Sequence, residues 1–275
     1  MKVPVKLGVS RAGEEKIDLP DLPHMLVPGY TRSGKSNFLH TILIQLIRNP
    51  NVRLYIIDMK RLEFEMYKEH AWVAHEIDDV ATLVDSLYNE MNLRMDFLAE
   101  VGVSKIQEFD QGKYEGNIPY LVLIIDEFMQ LSPKLEVDKK LQGFKAFIYS
   151  QLTHILAMAA ALGIQVVIAT QRPDKDVVQG PLKVNIPTTM CFRVRGKVNS
   201  DICLDNHLAA ELPPIRGRAI WQIGDTDREI QTYKLSIRVA RDILQSVTPR
   251  TRPENAPKLE EVESNDGEED HIGTE

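Results

Sequence analysis

The run Gly29-Tyr30-Thr31-Arg32-Ser33-Gly34-Lys35-Ser36 matches GxxxxGK[ST] at every fixed position. It follows an apolar segment, His24–Val27, and opens a helical pattern, Lys35–Ile47. That strand-loop-helix context is what the motif requires. Glycines let a backbone curl so that its N–H groups face a phosphate chain, and the helix N-terminus adds a favourable dipole. Lys35 is expected to reach the β and γ phosphates of a nucleoside triphosphate, and Ser36 to ligate Mg²⁺. Residues 29–36 and the adjoining Asn37 are the expected nucleotide-contacting stretch, with a nucleoside triphosphate and Mg²⁺ as cofactors.

A second set of reactive residues lies downstream. Tyr120–Ile125 is an unbroken apolar run ending in Asp126-Glu127. Adjacent carboxylates at the C-terminal end of a buried strand sit where open α/β sheets bind ligands. Asp126 is expected in the Mg²⁺ shell and Glu127 as the base that activates water. A third apolar run, Gln165–Thr170, ends in Gln171-Arg172-Pro173. The Gln171 amide is a candidate for sensing the γ phosphate or orienting water.

These groups need a scaffold that brings strand ends together. Apolar runs at His24–Val27, Arg53–Ile57, Tyr120–Ile125, Gln165–Ala169 and Thr189–Val194 alternate with helical patterns. The helical patterns cover Lys35–Ile47, Val80–Glu100, Lys139–Ala161 and Ser200–Asn206. Such alternation predicts an α/β domain with a mostly parallel central sheet flanked by helices. Arg218–Ile223 and Glu229–Leu235 flank a Gly-Asp-Thr-Asp turn and predict a C-terminal β-hairpin, followed by a short amphipathic helix over 237–247. The expected organisation is one motor domain, residues 1–247, and an acidic, disordered or loosely docked tail, 248–275.

The chain has 275 residues and 43% hydrophobic content, enough for one sizeable core. Its net charge of −7 misleads, because residues 251–275 hold nine acidic and two basic residues. The remainder is neutral, so local basic patches and nucleic-acid binding are not excluded. Cys191 and Cys203 fit neither a disulfide framework nor a zinc pattern, which points to a reducing, cytoplasmic setting. The start is too polar for a secretory signal. Leu152–Ala169 contains Thr153, His154, Gly163 and Gln165 and reads as a buried helix running into a strand, so no membrane segment is expected. Met91 and Met95 have helical spacing and are expected in the core.

The same elements resemble the FtsK/SpoIIIE motor domain of the FtsK–HerA superfamily over about residues 17 to 235. The resemblance rests on Leu22–Leu26 before the phosphate loop, Asp58-Met59-Lys60, Glu90–Arg94, Val101–Val103 and Leu123–Phe128. Its most specific piece is Ala169-Thr-Gln-Arg-Pro173 followed by Asn185-Ile-Pro-Thr188. The resemblance implies a RecA-like P-loop NTPase that forms a homo-oligomer, a hexameric ring, with ATP bound between neighbours. It implies movement along double-stranded DNA, with pore-facing segments matching Ser132–Gln142 and Asp174–Asn185. Lys134, Lys139, Lys140, Lys175 and Lys183 are the implied phosphate contacts, each of which otherwise reads as a solvated surface charge.

Two arginines usual in the family fall here at Ala160 and Asp201, and Arg32 stands where a glycine is usual. Arg172, Arg193, Arg195 and Arg216 are the available replacements for an arginine finger. The short stretch before the motor and the acidic tail after it suggest a bare motor, as in phages and mobile elements. Leu212–Ala219 also resembles the end of type VII secretion motors. The expected function is an ATPase that drives DNA translocation. A secretion or conjugation ATPase acting on a protein stands as the alternative, as does a weakly active nucleotide-binding scaffold.

Overall fold

The fold was obtained as a computed structural model that describes residues 2–22, 24–109, 114–115, 118–171, 181–250 and 260–261. Twelve strands occur among these: β1 (Pro4–Ser10), β2 (Gly13–Asp18), β3 (Met25–Pro28), β4 (Val52–Ile57), β5 (Trp72–Ala74), β6 (Tyr114–Glu115), β7 (Tyr120–Ile125), β8 (Ile164–Thr170), β9 (Thr188–Phe192), β10 (Arg218–Ile223), β11 (Thr226–Thr232) and β12 (Glu260–Glu261). The helices are α1 (Lys35–Leu46), α2 (Ile77–Glu100), α3 (Lys139–Met158), α4 (Pro181–Val184), α5 (Lys197–Leu204), α6 (Leu208–Glu211) and α7 (Ile237–Ser246). Ten strands form one sheet in the order β2-β1-β11-β10-β9-β3-β8-β7-β4-β5.

The six strands from β9 to β5 run parallel. Every residue of β7 and β8 is buried. A strand covered on both faces cannot alternate polar and apolar residues, which is why these segments read as continuous apolar runs. Each fully buried Leu or Ile there contributes about 1.5–3 kcal/mol, so the central strands dominate the core. Helices α2 and α3 pack on each other, whereas α1 packs against β1, β4 and α7.

The four strands from β2 to β10 join antiparallel. The β10–β11 hairpin matches the expected one, though β11 begins at Thr226 because only Gly224 and Asp225 form the turn. It is not the sheet's edge, since β11 pairs with β1 and β1 with β2. That N-terminal hairpin was not expected, although Val3, Val5, Leu7 and Val9 fall at alternate positions, as in a half-buried strand. The stretch 152–169 is a helix ending at Met158 and a strand beginning at Ile164. No helix among the described residues is long and apolar enough to cross a membrane. Met91 is buried as expected, but Met95 is 40% exposed, because α2 turns that position toward solvent. From the acidic tail, residues 248–250 and Glu260–Glu261 are described: Arg250 donates to Val52 O, Ile47 O and Asn49 O, and Glu260–Glu261 pair antiparallel with Tyr114–Glu115; the rest of the tail lies outside the described residues.

Candidate functional site

Parallel pairing sets the ends of β3, β8, β7 and β4 side by side. Val27 pairs with Ala169, Ile125 with Ile168 and Ile57 with Ile125. The residues that follow these strands must therefore converge along one edge.

The loop after β3 is tied down at both sides. Gly29 N–H donates to Thr170 O at 3.1 Å, and Tyr30 N–H to Arg193 O at 3.4 Å. Gly34 caps α1 with φ +114°, a conformation that disfavours any side chain. A Cβ there would also lie 2.6 Å from the Gly217 nitrogen. Gly217 itself sits at φ +83° and donates its N–H to Ser33 O at 2.8 Å. Arg32, the residue in place of a usual glycine, adopts φ +68°. A non-glycine in this region is strained and persists only when its surroundings dictate it.

Lys35 is buried, and its Nζ donates to Asp126 O at 3.1 Å and lies 3.8 Å from Asp126 Oδ1. Burial lowers the Lys35 pKa and raises that of Asp126, while their mutual attraction opposes both changes. The Glu127 carboxylate is held on both oxygens. Oε1 accepts from Thr170 Oγ1 at 3.0 Å and from Gln171 N–H at 3.1 Å, and Oε2 from Lys60 Nζ at 3.2 Å. Thr31 Oγ1 donates to Gln171 Oε1 at 2.8 Å, so Gln171 links the phosphate loop to Glu127. Lys35, Asp126, Glu127 and Gln171 are thus brought together from three separate elements.

On the other side, the β10–β11 region forms a wall. A cavity of about 410 Å³ lies between residues 30–37 and a face that includes Arg216, Gln231 and Tyr233. Asn37 fastens the two sides: its side chain donates to Leu235 O at 2.5 Å and accepts from Leu235 N–H at 3.2 Å.

Several residues here carried no functional reading from sequence. Asp58 follows β4 as Asp126 follows β7, so a carboxylate at a strand end was the available signal. Asp58 is buried and Oδ2 accepts from Glu63 and Phe64 N–H at 3.1 and 3.0 Å. Oδ1 of Asp58 and Oδ1 of Asp126 are both buried without a hydrogen bond. Orphaned anionic carboxylate oxygens are hard donors of the kind that suits Mg²⁺. No three His, Cys, Asp or Glu side chains among the described residues converge as a full cage.

The expected DNA-contact lysines are not in this cavity. Lys134, Lys139 and Lys140 are exposed around the start of α3, where Asp138 caps the helix. Lys183 is engaged by both oxygens of Asp205 at 2.7 Å. Lys175 lies outside the described residues, as does Arg172. Among the other arginines, Arg216 lines the cavity and Arg195 stands over the Tyr30 ring at 6.0 Å. Arg193 contributes its backbone oxygen to the loop. Ala160 follows α3, and Asp201 is exposed on α5.

This site and fold have counterparts among known proteins. A model of the FtsK/SpoIIIE family matches residues 1–175. The chain is 33% identical over 232 residues to "DNA translocase FtsK" of Chlamydia muridarum (strain MoPn / Nigg), covering 77% of this chain and 28% of that protein. It therefore spans less than a third of the length of that relative. The solved pCW3 conjugation coupling protein TcpA, in a monomer form with ATPγS, is 30% identical with a TM-score of 0.84, covering 90% of this chain and 71% of that one. The cytoplasmic domain of the Thermomonospora curvata type VII secretion ATPase EccC shares the fold, at 20% identity and a TM-score of 0.70 over 94% of this chain and 33% of that one. With the family match spanning more than half its residues and its strand-end site built from Lys35, Asp126 and Glu127, the chain belongs to the FtsK/SpoIIIE family of P-loop ATPases.

Proposed function

We propose that this chain is the motor of an ATP-driven double-stranded DNA translocase, acting as a homohexameric ring in the cytoplasm and hydrolysing ATP between neighbouring subunits. The observation that carries this reading is the convergence of Lys35, Asp126, Glu127 and Gln171 at adjoining strand ends, in a chain whose relatives include a named DNA translocase. Residues 29–37 hold the triphosphate, and Lys35 contacts its β and γ phosphates. Ser36 and Asp126 would hold Mg²⁺, which neutralises phosphate charge when bound. Glu127 takes the proton of the water that attacks the γ phosphorus as the bond to the β-bridging oxygen breaks. Three donors keep its carboxylate oriented. Gln171, bonded to both Thr31 and the Glu127 region, couples γ-phosphate occupancy to that base.

An arginine finger is worth about 10³ to 10⁵ in rate. Of the candidate replacements, Arg216 is the described one that lines its own subunit's cavity, together with Arg32 of the phosphate loop, and it stands in for the family's missing arginines in cis. Lys134, Lys139 and Lys140 face solvent and contact DNA phosphates in the ring; Lys183 joins them only by leaving Asp205.

The test is ATP turnover with and without long duplex DNA, at two salt concentrations. Many-fold stimulation that fades at the higher salt supports translocation on DNA. A second reading, a conjugation motor driven by a protein partner, is favoured by the 30% identity to a conjugation coupling protein. Turnover indifferent to duplex but raised by a partner would replace the first reading with this one.

A further inference from the structure

The cavity at the phosphate loop extends beyond the residues that handle phosphate. Gln171, which follows β8, lines part of it, and Tyr233 and Lys234, which follow β11, line another part. The strand β10 runs antiparallel to both β9 and β11, so β11 ends at the same edge as β3 and β8. The sheet order β11-β10-β9-β3-β8 sets the phosphate loop between Gln171 and Tyr233, with β8 next to β3 and β11 three strands away on the other side. Gln171 and Glu127 meet on the β8 side, which makes that side the γ-phosphate end of the site. A nucleotide carries its base at the opposite end of its phosphate chain, and that end falls on the β11 side.

Two aromatic rings line the cavity, Tyr30 and Tyr233. Tyr30 belongs to the phosphate loop, and the Arg195 guanidinium stands over its ring at 6.0 Å. Tyr233 is half-buried, and its hydroxyl donates to Glu14 Oε2, on β2, at 2.9 Å. The same oxygen accepts from Lys6 Nζ, on β1, at 2.9 Å. The backbone on either side of Tyr233 is fixed as well. Thr232 N–H donates to Gly217 O at 2.8 Å, and the Asn37 side chain, next to Ser36 on α1, bonds both the N–H and the carbonyl of Leu235. A ring held by its hydroxyl at one tip and by its backbone at the other keeps a set orientation on the cavity wall. The hydrolysis chemistry gives that ring no task.

We propose that Tyr233 is the stacking platform for the base of the bound nucleotide, and that Glu14 is the positioning residue that holds its ring. The inference rests on the ATP reading of the phosphate loop. An aromatic face accepts any base, because every base has a π face, so this contact supplies affinity for a nucleoside rather than a choice among bases. The N-terminal hairpin, whose β2 forms one edge of the sheet, then takes part in nucleotide binding through Glu14.

The experiment compares a ligand that has a base with one that has none. Binding of ADP by the full chain is measured by calorimetry with Mg²⁺ present, and binding of inorganic tripolyphosphate by its displacement of ADP. Tyr233→Ala, Tyr233→Leu, Tyr233→Phe and Glu14→Ala are set beside wild type, and thermal melts report whether each is folded. Tyr233→Ala is expected to weaken ADP about fivefold or more while tripolyphosphate stays within about twofold. Tyr233→Leu keeps apolar bulk without a π face and is expected to show the same split, which decides the matter if Tyr233→Ala does not fold. Tyr233→Phe keeps the ring and is expected to retain most of the ADP affinity. Glu14→Ala is expected to show a smaller loss, again confined to ADP. Unchanged ADP affinity in a folded Tyr233→Ala or Tyr233→Leu overturns the proposal. So does an equal loss for ADP and tripolyphosphate, which would mean a structural role. If wild type binds neither ligand, the underlying site reading fails instead.

Discussion

In the parallel half of the sheet, β7 and β8 are buried at every position, and their C-terminal ends carry Asp126, Glu127 and Gln171. In the antiparallel half, β2, β1 and β11 expose much of their length and carry Lys6–Glu14 and Arg228–Glu15 pairs. Among the described residues, hydrogen bonds from Gly217 to Ser33 and between Asn37 and Leu235 join the halves at the nucleotide cavity. The contrast shows a division of labour. The doubly covered strands hold the reactive groups, and the half-exposed strands supply a wall that touches them only through the loop.

Breaking the parallel half at its chemistry should have the largest effect. Glu127→Gln is expected to lower turnover by about 10²–10⁴ while ATP binding persists. Lys35→Ala is expected to lose binding and turnover together. Steady-state turnover and filter binding check both, and normal hydrolysis by Glu127→Gln would remove it as the base.

A pH effect of intermediate size should also belong to the parallel half. His24 accepts the Val166 N–H at 3.0 Å, and burial pushes its pKa from 6.5 down to about 4. Between those values the unfolded chain binds the proton and the folded one does not. Stability is therefore full above pH 6.5 and declines as pH falls toward 4, by about 3 kcal/mol for this group. Urea melts at pH 7.5 and 5 should show the loss, and His24→Asn should flatten it. A wild-type profile that is flat over this range would count against a neutral buried imidazole.

The smallest effect is expected at the junction. Gly217→Ala forces a side chain into φ +83°, with its Cβ 2.6 Å from Gln231 Nε2. The Gln231 side chain can swing away, but the buried Thr232 Oγ1, 2.9 Å from that Cβ, must also shift, so the backbone strain of about 1–2 kcal/mol is the least cost. Denaturation should report that loss, together with weaker nucleotide binding as the Ser33 contact loosens. Unchanged stability and affinity would mean that the wall is not coupled to the loop.

Much of the parallel half was readable from residues alone. Tyr120–Ile125 was found at its observed ends, and the helices after the phosphate loop and at residue 139 began where expected. Apolar runs flanked by turn residues leave little choice of structure. The β1–β2 hairpin was missed although Val3, Val5, Leu7 and Val9 alternate, and its place in the sheet was not readable, because that is set by pairing with β11, more than 200 residues away in the chain. Strand preference of that kind depends on neighbours that no local window contains. The same reason hid the surroundings of Asp58 and His40, whose bonds to the residue 63–67 segment join parts that meet only in space.

The sequence by itself determined the phosphate loop, since its glycines, lysine and serine work through local backbone geometry. It also determined that Asp126 and Glu127 end a buried strand. Tertiary structure alone decided that Lys60, Thr170 and Gln171 grip Glu127, that Gly217 and Leu235 close the loop's open side, and that Arg216 faces its own cavity. Those contacts join residues brought together by sheet order, and sheet order is set by long-range pairing rather than by any short run of side chains.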